Sequence, residues 1–347
     1  MHTFALPLVV LAGLATTTVA IANDLCSGPN ARTVPPAGAI VVDATGAYNG
    51  SFLNVSAGVA HLDLKTKSEQ TIFVLPGVYH EQVFVPSLDG PLVVQGYTCD
   101  AKTYTYNTAT ITQAKAQKDI PAEVTKNRND LTSTLRFKTD SVKVYNLNVA
   151  NTAGNVGQAL AVNVAGTDSG FYACNFSGYQ DTVYANKGRE LYARSYISGA
   201  VDFVFGTYSK SWFESCDFEV VGKGSISANG RNNETNPSWF VFNKARVFGN
   251  LNVKSGMGYL GRPWRPYARV VWQNSELSDV INPEGWDTWN NDNNTGNVYF
   301  KEFNNTGPGA ATDKRVGFSG QLIAPVNITD MLGEGYASEW WVDTKYL

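Results

Sequence analysis

The sequence predicts an all-β protein that folds as one right-handed, single-stranded parallel β-helix with a short capping helix. The composition is 43% hydrophobic and only 16% charged, with 32 glycines and 17 tyrosines, which is typical of strands and tight turns. Short apolar runs follow one another from Ile72 to about Trp272 without a crossover helix between them. The segment that begins at Ser177 is repeated at Ser198, 21 residues later, and this period is typical of a solenoid.

The N-terminal residues have the pattern of a secretory signal. An apolar run from Phe4 to Leu14 is followed by the small residues Ala20-Ile21-Ala22. We therefore expect a signal peptide over residues 1–22, one β-helix domain over residues 23–347, and a secreted, extracellular protein. No later stretch approaches 18 apolar residues, so no membrane segment is expected. Sequons for N-glycosylation agree with a secretory route and begin at Asn49, Asn54, Asn175, Asn233, Asn293, Asn304 and Asn327.

The capping helix is predicted from a helical stripe near the start of the domain. Four apolar residues are spaced at i, i+3, i+7 and i+10, namely Phe52, Val55, Val59 and Leu62. We expect this helix to cover the open N-terminal end of the solenoid.

The repeat also bears on the four cysteines. In the 21-residue register, Phe176, Ile197 and Phe218 align, and Cys174 aligns with Cys216 two turns later. Two turns separate their Cα atoms by roughly 9.6 Å, whereas a disulfide needs less than about 7 Å. We predict that Cys174 and Cys216 are unbridged and buried, and we leave a Cys26–Cys99 bond open. The absence of a Cys-x-x-Cys pair argues against a zinc site.

Two segments interrupt the strand pattern. Residues 102–130 are polar and irregular, and residues 290–297 are rich in asparagine, so both are interpreted as loops that project from the solenoid and wall a groove. The C-terminal stretch contains Met331, Leu332, Trp340 and Trp341 and is apolar enough to fold back over the coils.

The repeat places two carboxylates in equivalent positions on neighbouring turns. Asp181 in the first copy corresponds to Asp202 in the second. Two carboxyl groups at strand spacing cannot both ionise easily, so one can act as an acid and the other as a nucleophile. A ladder of turn aspartates that bind backbone N–H groups is an equally good interpretation of the spacing alone.

Amides, an arginine and aromatic residues accompany this pair. Gln180 precedes Asp181, and Gln158 lies within one residue of the same stacking register, so both could donate to a developing oxyanion. Arg262 could pair with a carboxylate, and Trp264 could offer a flat face to a sugar ring. A glutamine stack and a proline-rich turn explain the same residues without catalysis, and each is the better interpretation of its motif taken alone.

Together the motifs resemble those of the pectin methylesterases of carbohydrate esterase family 8. The resemblance runs from about Ala39 to the C-terminus, in the family's order, and the chain resembles the short microbial type. It rests on Gly77-Val78-Tyr79-His80-Glu81, Gly178-Tyr179-Gln180-Asp181-Thr182-Val183-Tyr184, Asp202-Phe203-Val204-Phe205-Gly206 and Leu260-Gly261-Arg262-Pro263-Trp264.

The resemblance implies a role for each matching residue. It implies that Asp202 is the nucleophile, that Asp181 is the general acid and then the base, and that Arg262 keeps Asp202 ionised. Gln158 and Gln180 match the oxyanion donors. Aromatic sugar-binding positions are matched by Trp264, Tyr184 and Phe205. The implied substrate is methyl-esterified homogalacturonan, with no metal and no cofactor, and we expect a monomer.

Other functions were weighed against this one. A net charge of -3 gives no basic field for a nucleic acid. A serine hydrolase is disfavoured because the sequence has no Gly-x-Ser-x-Gly elbow. A glycoside hydrolase or lyase on the same solenoid, and a non-catalytic wall-binding protein, stay open on the residues alone.

Overall fold

The chain forms a parallel β-helix of three sheets, as predicted. The computed structural model describes residues 26–290 and 294–347. The predicted signal peptide therefore lies outside the described residues. Strands are numbered in chain order, and successive strands of one solenoid turn belong to different sheets.

The first sheet has eleven strands and the second has seven. The first contains β1 Ile40–Val42, β2 Gln70–Val74, β5 Leu92–Gly96, β8 Val142–Tyr145, β11 Ser169–Tyr172, β14 Lys187–Ala193, β17 Tyr208–Glu214, β20 Trp239–Asn243, β23 Arg269–Gln273, β25 Tyr299–Phe303 and β26 Ser319–Gln321. The second contains β4 Val83–Val85, β7 Leu135–Phe137, β10 Val162–Val164, β13 Val183–Ala185, β16 Val204–Gly206, β19 Gly224–Asn229 and β22 Gly258–Pro263.

The third sheet has eight strands. These are β3 Gly77–His80, β6 Ala109–Gln113, β9 Asn148–Asn151, β12 Asn175–Ser177, β15 Tyr196–Gly199, β18 Asp217–Val220, β21 Arg246–Gly249 and β24 Glu276–Leu277. Its register pairs Phe176 with Ile197 and Ile197 with Phe218, as the 21-residue repeat predicts.

The core lies inside the solenoid and is built by stacking equivalent side chains. An aromatic ladder runs up its first sheet, with ring centroids 3.9 to 4.8 Å apart, through Phe171, Tyr192, Phe213, Phe242 and Trp272. Each turn buries its apolar side chains only against its neighbours, which is why a regular repeat is sufficient to specify this fold.

Single residues with positive φ form the corner between the first and third sheets. These residues have φ between 50° and 52° and are Asn146, Ala173, Arg194, Ser215, Lys244, Asn274 and Asn304. A left-handed residue bends the chain sharply at a single position, so the same corner recurs on successive turns.

The predicted capping helix is present but shorter than its apolar stripe. Helix α1 spans Val55–Ala60, and Val55, Val59 and Leu62 join the main core. Phe52 lies outside the helix, where it forms a parallel bridge to Val42. The apolar stripe overestimated the length of the helix because the N-cap residue is Asn54, which follows Phe52 in the chain. The Asn54 side chain accepts a hydrogen bond from the backbone N–H of Ala57.

The structure shows which of the four cysteines form a disulfide bond. Cys174 and Cys216 are free and buried, as predicted, and the bond that the sequence left open forms between Cys26 and Cys99. This disulfide ties the start of the described chain to the segment after β5.

Residues 102–130 are more ordered than the sequence indicated. The interpretation of the whole segment as a loop was wrong for Ala109–Gln113, which is β6 and pairs with β3 and β9. The alternation of buried and partly exposed side chains in this short strand is difficult to recognise in the sequence because polar residues flank it on both sides. The remainder of the segment is irregular apart from three-residue 3-10 helices at Tyr104–Tyr106 and Gln117–Asp119 and the start of a third at Asp130–Thr132.

The C-terminal stretch folds back as expected. Helix α2, Ile328–Leu332, and Trp341 cover the outer face of the first sheet, where Met331, Leu332 and Trp341 form a second apolar cluster with Tyr172. Of the helices within residues 26–290 and 294–347, none has the length and apolar character to cross a membrane.

Candidate active site

The two stacked aspartates lie at the entrance to neighbouring strands of the second sheet. Asp181 stands two residues before β13 and Asp202 two residues before β16, while Gln180 and Val201 form a bridge between the two turns. Their φ angles are 63° and 50°. Non-glycine residues in this region are uncommon, and such conformations are often found where a side chain must be aimed at a site.

Arg262 holds Asp202 through two hydrogen bonds. The Nε atom donates to Oδ1 at 2.8 Å and Nη2 donates to Oδ2 at 2.7 Å. Arg262 belongs to β22, in register with Ala228 of β19 and, one strand further, with Phe205 of β16. Because Ala228 is small, the guanidinium can cross above it to the aspartate.

The two carboxyl groups differ in their electrostatic environment. Burial raises the pKa of Asp181 well above its usual value, and the negative charge of Asp202 raises it further, against lowering by Arg262 and Asn129. Burial also raises the pKa of Asp202, but the hydrogen bonds and charge of Arg262 oppose that shift. As the pH rises, Asp202 therefore ionises before Asp181, and the pair can hold one acid and one carboxylate.

The two predicted glutamines line the same cavity as the aspartates. The backbone confirms the offset of one residue, since the N–H of Ala159 donates to the carbonyl of Gln180 at 3.1 Å and Gln158 precedes Ala159. Within the described part of the chain, neither side-chain amide has a hydrogen-bond partner. Both amides are thus available to donate to a bound oxygen.

The predicted aromatic residues are brought together, but not all reach the cavity. Phe205 and Trp264 line it, with ring centroids 6.0 Å apart in an edge-to-face arrangement. Tyr184 does not line it; its ring stacks on Phe205 at 4.4 Å, one turn away. Tyr184 therefore extends the aromatic surface beyond the carboxylates.

Two residues of the site were not identified from the sequence. Asn129 donates from Nδ2 to Oδ2 of Asp181 at 3.1 Å, and Trp289 lies under the guanidinium of Arg262 with 4.3 Å from Cζ to the ring centroid. Asn129 belongs to the projecting segment 102–130, and Trp289 immediately precedes the segment 290–297, so both lie outside the repeat. The only available signal was that these segments were expected to wall a groove.

The cavity has a volume of about 190 Å³. Its walls combine the carboxylate pair, three amides, one guanidinium and three aromatic rings, supplied by Asn129, Gln158, Gln180, Asp181, Asp202, Phe205, Ala228, Arg262, Trp264 and Trp289. Such a site can attack, protonate and stabilise a carbonyl compound. No group of three or more His, Cys, Asp or Glu side chains suited to a metal ion occurs among the described residues.

The fold and the site define a class of protein, a parallel β-helix that carries a carboxylate-pair site on its second sheet. The model of the pectinesterase family matches residues 39–332. The chain belongs to the pectinesterase family and is an esterase.

The similarity extends over nearly the whole chain. A pectinesterase of Aspergillus niger is 44% identical over 326 residues, which cover 91% of this chain and 94% of that relative. A pectinesterase of Aspergillus aculeatus is 43% identical over 322 residues, with the same coverage. The crystal structure of the deglycosylated pectin methylesterase from Aspergillus niger superposes with a TM-score of 0.83 at 35% identity and covers 91% of this chain and all of that one. A carrot pectin methylesterase superposes with a TM-score of 0.75 at 29% identity, covering 84% of this chain and 90% of that one.

Proposed function

We propose that this esterase removes methanol from methyl-esterified homogalacturonan by the stacked pair Asp181 and Asp202. The observation that carries the proposal is the asymmetry of the pair. Asp202 is held by Arg262, whereas Asp181 has a neutral neighbour, Asn129, and a strongly raised pKa. A nucleophile must be ionised and a general acid protonated, and this pair supplies both at one pH.

In the first half of the reaction, an Oδ atom of Asp202 attacks the carbonyl carbon of the methyl ester. The carbonyl oxygen becomes an oxyanion, which the amides of Gln158 and Gln180 stabilise by hydrogen bonds. Asp181 gives its proton to the methoxy oxygen as the C–O bond breaks. Methanol leaves, and an anhydride joins the sugar carboxyl to Asp202.

In the second half, Asp181 is a carboxylate and takes a proton from water. The hydroxide oxygen attacks the anhydride at the former ester carbon, and the bond to Asp202 breaks. Asp202 regains its negative charge, Asp181 is protonated again, and the product is a galacturonate carboxyl group. Arg262 keeps the attacking carboxylate oriented and ionised in both halves.

The substrate is positioned by the aromatic surface of Phe205, Trp264 and Tyr184, whose flat faces suit sugar rings. The single domain over residues 23–347, the removal of a signal peptide over residues 1–22, secretion and a monomeric state belong to the same proposal. The N-terminal sequence pattern supports the signal peptide and secretion, and the one continuous solenoid supports the single domain.

The experiment compares methanol release with new reducing ends from esterified pectin. We expect methanol without reducing ends from the wild type, no methanol from Asp202→Asn or Asp181→Asn, and retained polymer binding by both variants, because only transition-state chemistry is removed. Asp168→Asn is the matched control, since Asp168 has the same φ of 63° as Asp181 but pairs with Arg189. Reducing ends without methanol would indicate a glycoside hydrolase or lyase. Normal turnover by Asp202→Asn would contradict the mechanism.

A further inference from the structure

A second cavity opens on the outer face of the first sheet, next to the turn between β22 and β23. We name it the arginine–aromatic cavity. It is lined by Arg231, Glu234, Trp239, Tyr267, Arg269, Asn297 and Tyr299 and has a volume of about 410 Å³. The turn that separates it from the carboxylate site carries Trp264 on one side and Tyr267 on the other. Its volume falls in the range of about 300–1,000 Å³ that is usual for small-molecule sites.

The strands themselves fix three of its side chains. Arg269 of β23 is in register with Tyr299 of β25, and Trp239 begins the neighbouring strand β20. The guanidinium of Arg269 lies over the Trp239 ring, with 4.3 Å from Cζ to the centroid, and the rings of Trp239 and Tyr299 meet edge to face. The floor of the cavity is thus built from side chains of paired strands.

Both arginines of the cavity are held by neutral groups. Arg231 donates to the backbone carbonyls of Asn236 and Glu234 at 2.9 and 2.6 Å. Arg269 donates to those of Ser238 and Pro237 at 3.4 and 3.2 Å. Among the residues that the structure describes, no carboxylate forms an ion pair with either guanidinium.

The result is a positive charge that is only partly compensated, in a partly buried place. Burial, followed by the like charge of Arg231, lowers the pKa of Arg269 to about 10, so Arg269 stays charged at neutral pH. Glu234 is the one carboxylate in the lining and offsets part of this charge. A bound anion would relieve the repulsion between the arginines, and guanidinium groups match carboxylates in geometry.

The remaining lining suits a sugar ring. Trp239, Tyr267 and Tyr299 supply flat apolar faces, and the indole Nε1–H of Trp239 is buried without a hydrogen-bond partner among the described residues. A buried donor without a partner is costly, and the oxygen of a ligand or of a water molecule that reaches it would satisfy it. A ligand with a ring, hydroxyl oxygens and a carboxylate meets all of these requirements.

We propose that the arginine–aromatic cavity binds an unesterified galacturonate residue of the polymer, outside the site where esters are cleaved. The identity of the sugar acid rests on the proposed function. The carboxylate of the sugar pairs with Arg269 and Arg231, and its ring packs against the aromatic side chains of the lining. A methyl ester lacks the negative charge, so this cavity selects the reaction product over the substrate.

The test measures binding of a fully de-esterified oligogalacturonide of about six residues to the full chain by calorimetry at low salt. We expect Arg269→Gln to weaken binding by about tenfold, as loss of a charged hydrogen bond does. Glu234→Gln should strengthen binding, because it removes the one negative charge of the lining. Lys65→Gln is the matched control, since it removes one positive charge at the N-terminal end of the solenoid, and it should leave the affinity unchanged.

Two further measurements separate this cavity from the carboxylate site. Arg269→Gln should keep methanol release from a short esterified oligomer within about twofold of the wild type, and its binding of that esterified oligomer should equal that of the wild type. Oligogalacturonide binding that is the same in Arg269→Gln, Glu234→Gln and the wild type would overturn the proposal. Failure of the catalytic proposal would instead appear as methanol release by Asp202→Asn, whatever the binding data.

Discussion

Arg262 donates hydrogen bonds to both carboxylate oxygens of Asp202, although the two residues are 60 positions apart in the chain. The contact fixes the orientation of the carboxylate and opposes the rise in its pKa that burial causes. Planar two-point pairing of this kind is available to arginine but not to lysine, whose ammonium is a point charge.

Arg262→Lys should therefore reduce kcat/KM and move the acidic limb of the pH profile to higher pH. Weaker support of the negative charge raises the pKa of Asp202, so a higher pH is needed to ionise it. We expect a loss of about 100-fold in kcat/KM, measured by methanol release between pH 3 and pH 9. An unchanged acidic limb would show that Arg262 does not control the ionisation of Asp202.

Asn129→Ala should move the opposite limb of the same profile. Asn129 donates to Asp181, which favours the ionised form and lowers the pKa of that carboxyl. Without this bond the pKa of Asp181 rises, so the general acid keeps its proton to higher pH. The alkaline limb of the kcat profile therefore moves to higher pH. An alkaline limb that moves to lower pH, or that does not move, would contradict the assignment of Asp181 as the acid.

Glu190→Gln should stabilise the fold at neutral and alkaline pH but not in acid. Glu190 is wholly buried, accepts hydrogen bonds from Tyr192 and Ser211 at Oε2, and has an Oε1 atom without a partner among the described residues. Burial raises the pKa of Glu190 well above its ordinary value of 4.5. The unfolded chain therefore ionises first, and stability is lost progressively as the pH rises above about 4.5, up to the pKa in the folded state.

The measurement for Glu190 is the melting temperature from pH 4 to pH 9. The difference between Glu190→Gln and the wild type should grow with pH, because glutamine cannot ionise. A difference that is constant over the whole range would show that Glu190 imposes no pH-dependent cost.

Glu81→Gln should lower stability without changing turnover. The Glu81 carboxylate accepts hydrogen bonds from the backbone N–H groups of Val55 and Ser56 at 2.7 and 2.8 Å and from the Ser56 hydroxyl. It thereby caps the first turn of α1, and its loss should cost about 1–2 kcal/mol. Denaturant unfolding checks the cost, with Glu334→Gln on the exposed C-terminal segment as control. A fall in kcat at full stability would place Glu81 in the chemistry.

The contacts of Glu81 and Tyr79 give the Gly77-Val78-Tyr79-His80-Glu81 segment a structural role. The Tyr79 hydroxyl donates to the carbonyl of Leu75 at 2.9 Å, and Glu81 joins the capping helix to the third sheet. Within this chain the motif ties the capping helix to the solenoid, and none of its residues lines the carboxylate cavity.

The sequence by itself determined the solenoid and the pairing of Asp181 with Asp202, because a parallel β-helix converts a fixed repeat directly into neighbouring positions in space. For the same reason it predicted that Cys174 and Cys216 are unbridged, and both are free in the structure. Only the tertiary structure decided what lies outside the repeat. Asn129, Trp289 and the Cys26–Cys99 bond depend on how irregular segments fold back across the sheets, and the capping role of Glu81 depends on a contact with a helix about 25 residues earlier. No periodicity links such residues, so their contacts are set by packing alone.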